Sequence, residues 1–420
     1  MKRAKYALFV LFAINAMNFF DRVIGGAVAE PIRKEWHLSD SALGALGTAF
    51  TLLYAVAGLP LGRLSDRMSR KKLLGWGVLV WSLLTALSGL ARNFSQMFVM
   101  RLGVGVGEAV CAPAATSLIG DLYPANRRGR ALSVFMMGLP IGIALSFFLG
   151  ASVAQAYGWR AAFFVAGIPG LLCALGAMFI IEPAREDGRV GEAVPHPYRA
   201  LLSIPTFWWI IASGALHNFN MYALGSFLAP LVIRYHGAGL RQAGLISMLV
   251  YGLSGIPGLL VGGMLADSIG RKRKDGRLLL AAVCILISVP LMILALMQPP
   301  RAIVPFVIFA TLGCMVMYVY YSSVYAAIQD VVEPRLRGTA MALYFLAMYV
   351  LGASLGPLGT GMASDFFTKR AAAAAGVAAL ESFKGVGLHS AMYLVPILSA
   401  ILTLVLFAAS RTIIRDTRQS

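Results

Sequence analysis

Charge is what this chain has least of: Asp, Glu, Lys and Arg make up 13% of its 420 residues, against roughly a quarter in an ordinary soluble domain. With 59% of residues hydrophobic, the surface of a water-soluble fold could not be built. Acidic residues are scarcer still, 18 against 36 basic ones, for a net charge of +18. In a soluble protein that balance points to nucleic acid. Here the basic residues sit almost entirely in short polar segments between apolar runs, which excludes a nucleic-acid partner. Cysteine is sparse as well: Cys111, Cys173, Cys284 and Cys314 lie far apart inside apolar runs, without the paired spacing of a zinc or redox site, and read as packing residues. Histidines paired at metal spacing, a serine-nucleophile motif and an acidic metal cluster are all missing, so an enzyme is not expected, nor a metal or a cofactor.

What the chain has in quantity is apolar sequence in bilayer-sized lengths. Runs of about 20 residues, each able to cross roughly 30 Å of hydrocarbon, fall near 6–31, 40–62, 73–92, 95–120, 129–156, 160–182, 206–233, 242–266, 277–298, 302–329, 338–366 and 387–411. The first follows Lys2, Arg3 and Lys5 like a signal peptide, but Asn15, Asn18, Asp21 and Arg22 interrupt it and no cleavage site follows, so it reads as a retained helix. Twelve crossings place both termini on one side. Lys and Arg concentrate in the loops of that side, which makes it the cytoplasm of a cell inner membrane. The longest polar stretch runs from Glu182 to Ser203 with Pro183, Pro195 and Pro197. It divides the chain into a six-helix bundle at 1–182, a cytoplasmic linker at 183–203 and a second six-helix bundle at 204–420.

An internal repeat supports two halves. Gly62, Asp66, Arg70, Lys71 and Lys72 recur as Gly263, Asp267, Arg271, Lys272 and Arg273, each set directly after the second helix of its half. Asp121, Arg128, Gly129 and Ala131 recur as Asp330, Arg337, Gly338 and Ala340. An Asp at a helix end pairs with Arg side chains and helix amides, so Gly62, Asp66, Arg70, Asp121, Arg128, Asp267, Arg271, Asp330 and Arg337 form a candidate cytoplasmic gate. Read more plainly, the Arg and Lys residues are topology signals alone. Duplicated halves commonly rock about a midplane site.

Ionisable groups deep in an apolar span cost several kcal/mol unless paired or wet, about 2.5–3.5 each by insertion measurements, which makes Asp21 and Arg22 of the first span, with the polar Asn18 beside them, and Arg101 and Glu108 of the fourth the candidates for function. Seven residues apart on a helix, Arg101 and Glu108 share a face. Glu108 and Asp21 are the candidate proton carriers, with Arg22 and Arg101 as counter-charges or anchors for an anionic group. A static ion network joining the two helices is the alternative. The second half offers neutral groups: His217 and Asn220 on the seventh span, and Tyr318, Tyr321, Ser322 and Tyr325 on the tenth, where helix packing competes with cavity lining as the reason for the stripe. A charged half facing an aromatic half fits a solute with a polar head and an apolar body. Gly138, Pro140 and Gly142 of the fifth span, and Gly352, Gly356, Pro357 and Gly359 of the eleventh, are expected where the halves slide or where helices pack closely.

The segment from Gly62 to Lys72 resembles the loop between helices two and three of the major facilitator superfamily. Asn18, Phe19, Phe20, Asp21 and Arg22, the run from Arg101 through Gly105, Gly107 and Glu108 to Ala109, and Gly158, Trp159 and Arg160 together resemble its Spinster branch. The resemblance implies an all-α membrane protein of twelve helices in two pseudo-symmetric bundles, working by alternating access and coupled to protons. Animal members of that branch are linked to export of lysolipids and sphingoid-base phosphates, which implies an amphiphilic substrate. The Asp-Arg pair and the Arg-to-Glu spacing also resemble the superfamily's organic-anion symporters, and a drug exporter or a non-transporting receptor on the same fold are further alternatives. The expected partners are the lipid bilayer, a small amphiphilic or organic-anion solute and protons, with the protein a monomer.

Overall fold

The computed structural model describes residues 2–183 and 197–416, all helix and connecting turns, with no strand among them. Residues 184–196 of the linker expected at 183–203 therefore lie outside the described residues. Twelve helices alternate in direction: α1 (Lys2–Ala27), α2 (Asp40–Arg67), α3 (Arg70–Ser88), α4 (Phe94–Leu122), α5 (Ala125–Met136 and Gly138–Tyr157), α6 (Trp159–Met178), α7 (Pro205–Arg234), α8 (Leu240–Lys272), α9 (Gly276–Leu296), α10 (Ile303–Val331), α11 (Arg337–Ala374) and α12 (Lys384–Met392 and Leu394–Asp416). Ten of these segments are long and apolar enough to cross a bilayer on their own terms. The other two, α3 and α7, carry more polar sequence: Arg70, Lys71 and Lys72 open α3, and His217, Asn218 and Asn220 lie mid-way along α7. The two six-helix bundles meet along a seam where α1 faces α7, α2 faces α11 and α5 faces α8. Both termini lie at one end of the bundles, the terminal end, opposite the distal end.

Local sequence explains the boundaries. Ser39 caps α2 by accepting from the Ala42 amide, and Asn93 caps α4 by accepting from that of Gln96. Between α5 and α6 only Gly158 intervenes, with a φ of 85° that an L side chain would resist. The turn delivers Trp159 edge-on to Trp36 at 5.3 Å and lets Arg160 hold Glu35 at 2.7 Å. The first span is shorter than expected: α1 stops at Ala27, and Ala29–Trp36 is a separate short helix that carries Glu30, Arg33 and Glu35 across the distal end. Two helices also depart from plain α geometry. Single π turns occupy Met248–Leu253 in α8 and Met348–Ala353 in α11, a feature common at functional sites.

Gly138 and Gly142 of α5 and Gly352, Gly356 and Gly359 of α11 work inside each half, whereas Gly361 of α11 meets the Asp40 carbonyl of α2 across the seam. A Cβ at Gly142 would lie 2.2 Å from the Ala16 carbonyl oxygen, and one at Gly356 would lie 2.4 Å from that of Phe219. So α5 grips α1, and α11 grips α7, in the same way. Pro357 does reach across, but onto Gly44 of α2. At the terminal end, buried Arg70 starts α3 and binds Asp121 and Ser117 of α4, and Glu182 beyond α6 at 2.8 Å. In the second half Arg277, not the repeat-predicted Arg271, holds Asp330 at 2.5 Å and Asp267 at 3.5 Å, while Arg271 is exposed. Position 271 is still on α8, where its side chain points out, whereas Arg277 opens α9 and faces both carboxylates. Arg128 donates to the Gly120 carbonyl instead of an acid, Arg337 opens α11 with its Nε buried and unbonded, and Gly62 has open space around it. The side chain of Asp66 lies outside the described residues. Every described ion pair of this candidate gate stays within one half.

Candidate functional site

Halfway along the inter-half seam lies a cavity of about 540 Å³. Its walls are mostly apolar, and it takes Phe19, Phe50, Leu132, Met136, Ile143, Met221, Ile256, Leu260 and Met348 among its lining. Met136 of α5 and Leu260 of α8, 50% and 57% exposed, line its apolar end. Two cations reach the lining: Arg22 and Arg101.

Arg22 is the hub. Its Nε and Nη2 donate to Glu108 Oε2 at 3.3 and 3.1 Å, and Nη2 also donates to Asn18 Oδ1 at 3.0 Å. All of these partners belong to the first half. The remaining nitrogen, Nη1, points across the seam to the hydroxyl oxygens of Tyr222 on α7 and Tyr349 on α11, at 3.4 and 3.1 Å. Aromatic faces surround the guanidinium: Tyr54 at 4.5 Å, Phe19 at 4.7 Å and Phe50 at 5.3 Å from the ring centres, an arrangement that favours a desolvated cation. Arg101 donates to the Asp21 and Arg22 main-chain carbonyls at 3.0 and 3.4 Å and stacks over Phe50. These bonds pin α4 to the second half of α1.

The two carboxylates are fully buried and neither lines the cavity. Glu108 stands behind Arg22 and keeps Oε1 without a hydrogen bond. Asp21 faces away from the cavity toward Thr85 of α3 at 3.4 Å, and its Oδ1 is also unbonded. The structure therefore brings Asn18, Asp21, Arg22, Arg101 and Glu108 into one cluster, with the cations toward the cavity and the acids behind them. Of the second-half candidates, Tyr318, Tyr321, Ser322 and Tyr325 line the cavity. Tyr318 and Ser322 spend their hydroxyls on the α8 carbonyls of Tyr251 and Leu259, at 2.6 and 3.0 Å. The expectation for His217 and Asn220 is corrected. His217 stacks on Tyr320 at 4.0 Å behind the wall, and Asn220 turns away to donate to Val395 and Ser399 of α12. The neighbour Asn218 lines the cavity instead and accepts from Tyr321 at 3.2 Å. One helical step rotates a side chain by about 100°, which is enough to exchange wall for packing.

Tyr222, Tyr349 and Tyr54 escaped sequence reasoning, although a signal for the first was there. Asn218, Phe219 and Tyr222 of α7 repeat the spacing of Asn18, Phe19 and Arg22 in α1, so Tyr222 is the counterpart of Arg22.

The distal end is shut by charge. Arg234 at the end of α7 binds Glu30 at 2.6 Å and both oxygens of Asp40 at 2.9 Å, and Arg33 binds Glu381 at 2.5 Å. Asp365 of α11 caps α2 by accepting from the Asp40 and Ser41 amides, and Lys384 donates to the Leu38 carbonyl. A Cβ at Gly26 would lie 2.2 Å from the Gly225 carbonyl oxygen, so α1 and α7 touch backbone to backbone here. None of this seal was anticipated, because its partners lie far apart in sequence and come from opposite halves.

A family model described as Major Facilitator Superfamily matches residues 9–357. An MFS-type efflux pump of Mycolicibacterium smegmatis is 30% identical over 376 residues, covering 87% of this chain and 86% of its own. The sphingosine-1-phosphate transporter SPNS2 of Xenopus tropicalis is 27% identical, over 87% of this chain and 74% of its own. Among solved structures, a bacterial homologue of the human lysosomal transporter Spinster, in an inward-facing and unoccupied conformation, superposes with a TM-score of 0.88 at 27% identity, over 99% of this chain and 98% of that one.

Proposed function

The chain belongs to the Major Facilitator Superfamily and is a transporter, not an enzyme, and from that premise we propose that it carries a single-chain amphiphile with an anionic head, together with a proton, by alternating access. The termini then lie in the cytoplasm of an inner membrane, and the halves divide within residues 183–203. The observation that carries the reading is the composition of the seam cavity: two arginines at one place on an otherwise apolar, aromatic wall. An anionic head gains charge-assisted hydrogen bonds there, and an apolar tail has the apolar wall around Met136 and Leu260. A cationic drug would meet Arg22 and Arg101 unfavourably, and a sugar acid has no apolar body for the remaining wall. The sphingosine-1-phosphate transporter among its relatives supports the same class of solute.

Charge balance supports the proton. Asp21, Arg22, Arg101 and Glu108 sum to zero, so an anionic head at Arg22 leaves at least one buried negative charge without a partner. Buried charge in excess is costly, and a proton taken up on Glu108 or Asp21 removes it. Glu108 shares Arg22 with the incoming head, which makes it the first carrier, and Asp21, remote from the cavity, the second. Acid then tightens binding of the anion. The test is flux of a lysophospholipid phosphate monoester into proteoliposomes. An inward-directed pH gradient accelerates the wild type, and Glu108→Gln removes about ten-fold or more of that acceleration. Flux indifferent to the gradient overturns proton coupling, and a Glu108→Gln variant that responds as the wild type does overturns Glu108 as the first carrier.

A further inference from the structure

Arg22 presents two different edges. The edge that meets Glu108 and Asn18 is satisfied by partners of its own half, one of them anionic. The other edge, Nη1, faces the cavity and is satisfied only by two neutral phenols from the opposite half, Tyr222 and Tyr349. Both phenols also line the cavity, so the space beside Nη1 belongs to the same chamber. A phenol is a weaker acceptor for a guanidinium than an anionic oxygen. The two tyrosines come from the place in the second half where the repeat puts the counterpart of Arg22 and from the π turn of α11, which carries position 349. Besides the hydroxyls of Thr48 and Thr51 on Ser354, these two bonds are the described side-chain hydrogen bonds joining the halves at mid-depth.

We propose that Tyr222 and Tyr349 are a headgroup surrogate: in the empty protein their hydroxyls occupy the Nη1 edge of Arg22, and the anionic head displaces them on binding. This rests on the reading of Arg22 as the head's anchor and adds the group that it must displace. Loading the site then removes the Arg22 part of the mid-depth polar link between halves at the moment the head arrives, and leaves the Thr48 and Thr51 bonds to Ser354 in place. The phenols tax binding of an anion and leave binding of an uncharged amphiphile alone, because only the anion needs the Nη1 edge.

The experiment is calorimetric titration of the full chain in nanodiscs, at one fixed pH, with oleoyl lysophosphatidic acid and, separately, uncharged mono-olein. Tyr222→Phe with Tyr349→Phe removes both competing oxygens while keeping both rings. The expected result is about ten-fold tighter binding of the phosphate probe with no change for mono-olein, and an intermediate gain in each single variant. The single variants carry the test if the double one does not fold. Binding of the phosphate by the wild type that the Phe variants leave unchanged or weaken overturns the surrogate while sparing Arg22 as anchor. Tightening of both probes alike overturns it too, as loosened packing and not a freed cation would be the cause. Absence of phosphate binding by wild type and variants overturns this inference and the proposed solute class together.

Discussion

Helices α1 and α7 hold corresponding places in the two halves, and each bears Asn, Phe and, three residues on, the side chain that meets the seam. In α1 that side chain is Arg22; in α7 it is Tyr222, and the two touch. The packing around them has stayed alike: α5 closes on α1 through Gly142 as α11 closes on α7 through Gly356. Duplication thus preserved the backbone frame, which close helix contact constrains at every turn, and released the chemistry. The first half took all the buried charge of the mid-membrane cluster and the second took phenols. A charged pair facing another charged pair would double the desolvation cost, whereas phenols satisfy a cation and can be displaced from it.

The sharpest way to break this contrast is to remove the charge from one side and the hydroxyl from the other. Arg22→Met leaves Glu108 buried without its cation, a loss of about 3–5 kcal/mol, whereas Tyr222→Phe removes one neutral acceptor and costs about 1 kcal/mol or less. Unfolding in detergent measures both. Adding Glu108→Gln to Arg22→Met restores much of the loss, since the orphaned charge goes with it. Equal costs for Arg22→Met and Tyr222→Phe would mean that the halves do not differ energetically as their chemistry implies.

A smaller effect tests the terminal end, where the halves also diverge. In the first half Glu182, beyond α6, ties down the start of α3; in the second Asp416, at the end of α12, accepts from the Thr206 amide at the start of α7. Burial pushes the Glu182 carboxyl up, but hydrogen bonds from Arg70, Ser69 and the Arg70 and Lys71 amides outweigh it and hold the group at about 2, below its ordinary 4.5. A carboxyl lowered in this way stabilises the fold fully above its ordinary value and loses that contribution as pH falls from 4.5 toward about 2. Glu182→Gln therefore costs about 1–3 kcal/mol near pH 7, and the gap to the wild type narrows on acidification through that window. Asp416→Asn keeps an acceptor and costs less, about 1 kcal/mol or under. A gap that stays constant with pH would remove Glu182 from the account.

The smallest effect concerns His217. Its ring is buried, stacks on Tyr320 and has no hydrogen bond at either nitrogen, so His217→Phe changes stability by less than about 1 kcal/mol and leaves solute binding unmoved. A loss of binding in this variant would return the residue to the cavity wall that its sequence position implied.

The twelve crossings, the duplicated halves and the identity of the buried charges were legible in the residues, because hydrophobic length, charge asymmetry and the cost of an ion in hydrocarbon are properties of short stretches of chain. Pairing was legible only where a repeat advertised it. Asp330 did find an arginine, but Arg277 replaced Arg271, since which of two nearby arginines points inward depends on the start of α9. His217 precedes Asn218 by one residue and Asn220 follows it by two, and side-chain direction on a helix turns too fast for span boundaries known to a few residues to resolve.

What the sequence by itself determined is a membrane-spanning, duplicated protein with ionisable groups committed to the first and fourth helices. Only the tertiary structure decided that Arg22 and Arg101 meet the cavity while Asp21 and Glu108 stand behind them, that Tyr222 and Tyr349 take the free edge of Arg22, and that Glu30, Arg33, Asp40, Arg234 and Glu381 close the distal end. Those contacts join residues hundreds of positions apart, and their energies depend on distance and desolvation in three dimensions, which no local pattern of residues encodes.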